Sequence, residues 1–263
     1  MRLLCSCACL LIAFATTAQG ADERDLARAR SLYNQRDFAA AVAAADEGGR
    51  APERADSADL IAARAYLERF RESAASEDLA NARERLRRIH AERLDPRERT
   101  ELMVGIGEAL YFDESAGAAA DVFETLLARP GDLAADAHER VLDWWASAVD
   151  RETRPRPDIE RQAVYQKIRD RMSAELGVNP GSSAASYWLA AAALGQGDLQ
   201  AAWDAAQAGW VRAPLTADRG ASLRGDLDRL VERGIVPERS KMLGRPAETL
   251  QEQWEQFKEK WNR

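Results

Sequence analysis

Few residues in this chain have the type and spacing needed for metal or phosphate chemistry. His138-Glu139 begins the His-Glu-x-x-His spacing that places two zinc ligands on one face of a helix, but Leu142 stands where the second histidine belongs. The other histidine, His90, has no such partner in the sequence. Gly105-Ile106-Gly107 resembles part of a nucleotide-binding loop, yet no strand is predicted before it and the third glycine is missing. We therefore expect no metal and no cofactor, and we interpret these glycines as helix-packing positions.

Two dipeptides, Glu72-Ser73 and Glu114-Ser115, resemble the site of periplasmic lytic transglycosylases, in which the catalytic glutamate precedes a serine. Some of those enzymes carry helical solenoids. Their Gly-Leu-Met-Gln segment is absent from this sequence, and both dipeptides fall at predicted helix ends. We therefore predict that the chain is not an enzyme, and an unrecognised hydrolase is the disfavoured alternative.

Residues 83–99 are rich in arginine, and Glu84, Glu92 and Glu98 are interleaved with the arginines. Mixed charge on a helix surface is typical of a solvated, ion-paired face, and the alternative is binding of an anion or a lipid headgroup. The formal net charge of the whole chain is −7, which argues against nucleic-acid binding because phosphate binding requires a basic surface. The arginines are Arg83, Arg85, Arg87, Arg88, Arg93, Arg97 and Arg99.

Residues 1–20 have the features of a secretory signal peptide. Arg2 precedes an uncharged and mostly apolar stretch from Leu3 to Ala18, and Ala18-Gln19-Gly20 supplies small residues for cleavage before Ala21. The three cysteines all lie within this segment, so the predicted mature chain has no disulfide and no thiolate metal site. The alternative is an uncleaved N-terminal anchor. We expect export to the periplasm and no transmembrane segment after signal removal.

The export prediction can be tested directly. We expect the mature protein to begin near Ala21 and to be released from cells by osmotic shock. Mass spectrometry of the purified protein would locate its N-terminus, and an intact Met1 on a cytoplasmic protein would contradict the prediction.

The composition favours helices throughout the rest of the chain. Alanine, the best helix former, occurs 52 times, whereas valine, isoleucine and threonine together occur 24 times. No sustained two-residue alternation predicts a strand. Glycine and proline interrupt the helical pattern near residues 48–52, 94–96, 129–131, 154–157, 177–181, 213–214 and 244–246.

The spacing of these units resembles the tetratricopeptide repeat, a pair of helices with small residues at their contact and a closing proline. Between residues 101 and 131, Ile106-Gly107 is followed by Ala119, Phe123 and Pro130. The second-helix contact positions would be Ala41, Ala82, Ala119, Ala163 and Ala202. The resemblance implies an all-α fold, an α-solenoid of about five antiparallel helix pairs over residues 21–263, with residues 221–263 as a C-terminal cap.

In such a fold, the first helices of the pairs line a groove in which a partner binds. Side chains that point away from the packed stripes are the groove candidates Arg30, Tyr33, Glu108, Tyr111, Phe112 and Tyr187; the alternative for each of them is packing on a neighbouring helix. The last helix carries an apolar stripe of Leu250, Trp254, Phe257 and Trp261, which either caps the solenoid or docks on a partner.

The resemblance implies binding rather than catalysis, by analogy of fold. The predicted function is therefore an exported scaffold or adaptor that holds a protein or peptide in the periplasm or cell envelope. The alternative is a helical component of a periplasmic small-molecule uptake system, as in some tetratricopeptide proteins associated with tripartite transporters.

Overall fold

A computed structural model describes residues 24–129 and 131–261, and these residues form helices, turns and no strand. The predicted signal segment, residues 1–20, lies outside the described residues. The helices are α1 (24–34), α2 (Phe38–Gly48), α3 (Ala55–Ser73), α4 (Ser76–Arg88), α5 (Pro96–Phe112), α6 (Ala116–Leu127), α7 (Ala135–Thr153), α8 (Asp158–Val178), α9 (Ser183–Gly195), α10 (Leu199–Arg212), α11 (Ala221–Leu230), α12 (Val236–Leu243) and α13 (Ala247–Trp261).

The described residues fall into two compact units, the first ending at Val122 and the second beginning at Phe123. Within each unit, helices that follow one another in sequence also pack together: α2, α3, α4 and α5 in the first unit, and α7, α8, α9 and α10 in the second. The first helices of successive pairs also touch, α3 with α5, α7 with α9, and α9 with α11. The predicted all-α fold with consecutively packed helices is confirmed.

Similar turns follow α1, α3 and α5, the first helices of the first three helix pairs. Arg36, Ala74 and Glu114 follow α1, α3 and α5, and each adopts a left-handed backbone conformation with φ between 55° and 65°. This conformation ends a helix and reverses the chain. The following helix is capped where the sequence provides an acceptor, because the carboxylate of Asp37 accepts a hydrogen bond from the backbone N–H of Ala40 at 3.1 Å.

The alanine positions predicted to pack between paired helices are buried, with one exception. Ala41, Ala82, Ala119 and Ala202 have no exposed surface. The prediction is wrong for Ala163, which is exposed on α8. The buried face of α8 instead consists of larger side chains, Tyr165, Ile168 and Met172, so the helix contact there does not depend on a small residue.

The arginine-rich stretch forms an ion-paired surface, in agreement with the first of its two interpretations. Arg85 bridges two helices, because its guanidinium lies 2.6 Å from Asp46 of α2 and 2.7 Å from Asp59 of α3. Arg83 pairs with Asp113 at 2.6 Å. In the described part of the first unit, arginine supplies the cation of every ion pair except the one between His90 and Asp56.

The region predicted as a cap begins with a long helical run. α11 continues through a π-helical turn at Val231–Ile235 directly into α12, so Pro237 does not interrupt the helical run. The backbone N–H of Val236 bonds to the carbonyl of Val231, one residue further back than in an α-helix. This wider turn precedes Pro237, which has no N–H, and the helix therefore continues past the proline to Leu243.

Helix α6 provides a matched test of the packing register. Ala119 has no exposed surface, whereas Ala118 is exposed one position earlier. We expect Ala119→Leu to overpack the interior and to cost about 1–3 kcal/mol of unfolding free energy, and Ala118→Leu to change it little. Urea denaturation of both variants would measure the difference, and equal midpoints would contradict the packing register of α6.

Candidate functional site

Side chains from α1, α3 and α5 meet on one face of the first unit, which we call the first-helix face and define by Arg30, Tyr33, Arg64, Glu98 and Glu101. The Tyr33 ring lies at its centre. The guanidinium of Arg64 lies over this ring, 4.8 Å from its centroid, and the ring of Phe38 contacts it edge-on at 5.6 Å. The Tyr33 hydroxyl donates a long hydrogen bond of 3.4 Å to Glu68.

The start of α5 positions Glu98. The backbone N–H of Glu98 donates to the side chain of Asp95 at 2.8 Å, and the Glu98 carboxylate accepts from the backbone N–H of Asp95 at 3.3 Å. This reciprocal capping box fixes the Glu98 side chain and leaves its second oxygen to pair with Arg30 of α1. Only 9% of the Glu98 side chain is exposed. The capping box at the start of α5 thus positions the buried Glu98 carboxylate for its ion pair with Arg30, 68 residues earlier in the sequence.

Arg64 is the most enclosed cation of this face. Its Nη1 donates to Oε2 of Glu101 at 2.9 Å, while its Nε is buried without a hydrogen-bond partner. Burial would lower the pKa of Arg64, but the charges of Tyr33, Glu101 and Glu108 outweigh that effect and hold its pKa above the ordinary value. The guanidinium is therefore a permanent cation beside a small cavity of about 70 Å³, which Arg30, Tyr33, Arg64 and Glu101 help to line.

The structure brings some of the predicted groove residues together and separates others. Arg30 and Tyr33 lie on the first-helix face, and Glu108, though buried, lies close enough to act on the charge of Arg64. Phe112 instead packs on Phe70 with the ring centroids 5.1 Å apart, in an apolar cluster. Tyr111 contacts the Phe112 ring at 5.8 Å.

Sequence reasoning missed Arg64, Glu98 and Glu101. A signal for the first two was present, because Arg30, Arg64 and Glu98 follow one another at intervals of 34 residues. Alignment on the second-helix alanines, which are separated by 41 and 37 residues, did not detect this spacing. The spacing between the charged residues of successive first helices is therefore more constant than the spacing between the second-helix alanines.

The second unit has its own cluster around the predicted groove residue Tyr187 of α9. Tyr187 packs edge-on against Trp188 at 5.4 Å, and the indole N–H of Trp188 donates to Asp143 of α7 at 2.7 Å. Burial raises the pKa of Tyr187, and the charges of Asp226, Asp143 and Asp150 raise it further. The neutral phenol thus lies among carboxylates, in surroundings that favour a cation.

The pKa of Asp143 is also raised. Desolvation is the main cause; the indole N–H of Trp188 opposes it, and the charges of Asp226 and Glu139 add to it. A raised pKa means that the folded state holds the proton more tightly than the unfolded state, so stability falls as pH rises through the folded-state value.

We therefore expect Asp143→Asn to be more stable than the natural protein at pH 7. At about pH 3 the two proteins should be equally stable, because the Asp143 carboxyl group is then protonated in both the folded and the unfolded state. Asp136→Asn is the control of opposite sign, because a hydrogen bond and ion pair with Arg140 lower the pKa of Asp136 despite desolvation. Urea unfolding between pH 3 and 8 measures both. A loss of stability in Asp143→Asn at pH 7 would contradict the prediction.

The apolar stripe of α13 is partly buried within the second unit. Leu250 and Trp254 are almost fully buried, Phe257 is partly buried, and 45% of Trp261 is exposed. The Trp254 ring lies 5.8 Å from Trp203 and 5.6 Å from Trp210 of α10, measured between centroids. Its indole N–H donates to Asp228 of α11 at 2.8 Å. α13 therefore packs on α10 and α11 through the first half of its stripe.

Comparison with known proteins adds no family. No protein-family model matches the chain, and no curated protein is significantly similar to it.

Among the described residues, no helix is both long and apolar enough to span a bilayer. The same residues contain no group of three or more histidine, aspartate and glutamate side chains with the geometry of a metal site. His138, the residue that begins the zinc-like motif, pairs with Glu175 at 3.0 Å.

Proposed function

We propose that this chain is an exported, tetratricopeptide-like protein that binds a protein or peptide partner in the cell envelope and performs no catalysis. The observation that carries the proposal is the first-helix face, where Arg30, Tyr33, Arg64 and Glu101 from three successive first helices meet at one cavity. Aromatic and arginine side chains together are the residue types enriched in binding hot spots.

The register of this face supports the tetratricopeptide interpretation. The interval of 34 residues that separates Arg30, Arg64 and Glu98 is the period of that repeat. Side chains at equivalent positions of successive first helices line the binding surface in helical-repeat proteins. The shared position of these three residues on the first-helix face follows that pattern.

The cavity on the first-helix face is too small for a typical free ligand. Small-molecule pockets typically enclose about 300–1,000 Å³, whereas the cavity on the first-helix face measures about 70 Å³. It has room for one side-chain end. A partner that rests on the face and inserts a single side chain is therefore favoured over a free small molecule.

Site-specific photocrosslinking in the cell envelope of the source organism tests the proposal. A photoreactive phenylalanine analogue replaces Asn34, which lines the cavity, or Ala118, which is exposed on α6. We expect position 34 to yield a discrete adduct whose partner peptides are identified by mass spectrometry, and position 118 to yield none. No adduct at position 34, or the same adducts at both positions, would contradict peptide binding at this face.

A further inference from the structure

The cavity between α1, α3 and α5 has more hydrogen-bond donors than acceptors. Each oxygen of its single lining carboxylate, Glu101, already accepts a hydrogen bond: Oε1 from Nε of Arg97 at 3.1 Å and Oε2 from Nη1 of Arg64 at 2.9 Å. Three guanidiniums line the same space, and each carries five N–H groups. Arg30 pairs with Glu98 through one nitrogen only. The lining therefore carries three guanidinium charges against one carboxylate charge.

Arg64 contributes a tightly held guanidinium to this lining. Only 20% of its side chain is exposed, and its Nε is shielded from water without an acceptor. A buried donor without a partner lowers stability, and such groups in native proteins call for an explanation. The guanidinium is held in place by the Tyr33 ring beneath it, so it cannot turn this edge towards solvent without losing that contact.

The surrounding ion pairs leave N–H groups for another acceptor. Glu98 is fixed by the capping box of α5 and pairs with Arg30. Arg97 has 85% of its side chain exposed, so its remaining N–H groups can turn into the cavity. The volume of about 70 Å³ is well below the roughly 300–1,000 Å³ of a typical small-molecule pocket, so the cavity can admit a carboxylate group but not a whole ligand.

We propose that the cavity between α1, α3 and α5 receives an acidic side chain of the partner, whose carboxylate accepts hydrogen bonds from Arg97, Arg30 and Arg64. This assignment rests on the proposed function and specifies the chemistry of the partner segment. Arginine suits the role because its planar N–H groups match both oxygens of a carboxylate. A glutamine in the same position would leave the charge of the guanidiniums unmatched.

The test uses the full mature chain and two defined probes, N-acetylglutamate amide and its uncharged analogue N-acetylglutamine amide. Nitrogen-15 spectra follow the Nε–H signals of Arg64 and Arg97 during titration at constant ionic strength. Arg97→Gln removes one lining guanidinium. Arg99→Gln is the matched control, since Arg99 is exposed on the same helix and does not line the cavity.

We expect saturable shifts with the glutamate probe alone, and an apparent Kd about tenfold weaker in Arg97→Gln but unchanged in Arg99→Gln. Absence of saturation in the natural protein, equal binding of both probes, or equal Kd values in the two variants would overturn the proposal. An envelope partner crosslinked at position 34 together with such a negative titration removes the acidic-side-chain site alone. A positive titration without any partner removes the proposed function and keeps the site.

Discussion

Replacement of Trp254 by alanine should destabilise the protein by about 3–5 kcal/mol, the range for removal of a buried aromatic side chain. The ring has no exposed surface and packs against the indoles of Trp203 and Trp210. Its loss leaves a cavity and leaves Asp228 without the indole N–H. Thermal and urea unfolding of the mature chain, followed by tryptophan fluorescence and circular dichroism, would measure the effect.

Trp261→Ala is the matched control, because it removes the same side chain from the exposed end of the same stripe. With 45% of Trp261 exposed, we expect a loss of at most about 1 kcal/mol. Equal losses for the two variants would mean that α13 does not pack through Trp254. A stable Trp254→Ala protein that no longer co-purifies with an envelope partner would instead identify α13 as a docking helix.

The second large effect is expected at Gly220, which precedes α11. Its φ of +89° lies in the left-handed region that side chains disfavour, and an added Cβ would lie 2.6–2.8 Å from atoms of Ala213. Two of those atoms belong to the backbone, so no side-chain rotation relieves the clash. Gly220→Ala should therefore cost about 2–5 kcal/mol, from backbone strain and overpacking together.

Gly244→Ala separates these two contributions. Gly244 also has a positive φ, +60°, but a Cβ added there would meet no atom within 4 Å. Its replacement should cost about 1 kcal/mol, the strain alone. Chemical denaturation of both variants gives the comparison, and a Gly220→Ala protein as stable as Gly244→Ala would show that the turn before α11 can relax away from Ala213.

Local sequence signals were sufficient for the helical class and for most helix ends. Proline and glycine disrupt helical hydrogen bonding wherever they occur, so the breaks near Pro96 and Gly244 coincide with the start of α5 and the end of α12. The stripe of α13 was equally visible, because a helix repeats its faces every three to four residues. Pro237 is the exception among these prolines, because the π-helical turn before it lets the helix continue and the sequence does not reveal that turn.

The candidate site depended on contacts between distant residues, which periodicity alone cannot assign. The enclosure of Arg64 could not be predicted from the sequence, because an arginine on an amphipathic helix is usually solvated. It results from contacts with Tyr33 and Glu101 on two other helices. Ala163 illustrates the converse. A small residue at the expected interval is exposed, because the larger Tyr165 and Ile168 already fill the contact of α8.

Because arginine supplies the cations of the ion pairs in the first unit, those pairs should respond weakly to alkaline pH and to reagents that modify amines. A guanidinium keeps its proton far above the pH at which an ammonium group loses it, so pairs such as Arg64–Glu101 and Arg85–Asp59 persist in strongly alkaline buffer. Residues 24–122 contain no lysine, and reagents that modify lysine amines therefore leave the side chains of the first-helix face untouched. Acetylation cannot neutralise these cations, and acid, through the carboxylates, is the condition that breaks the pairs.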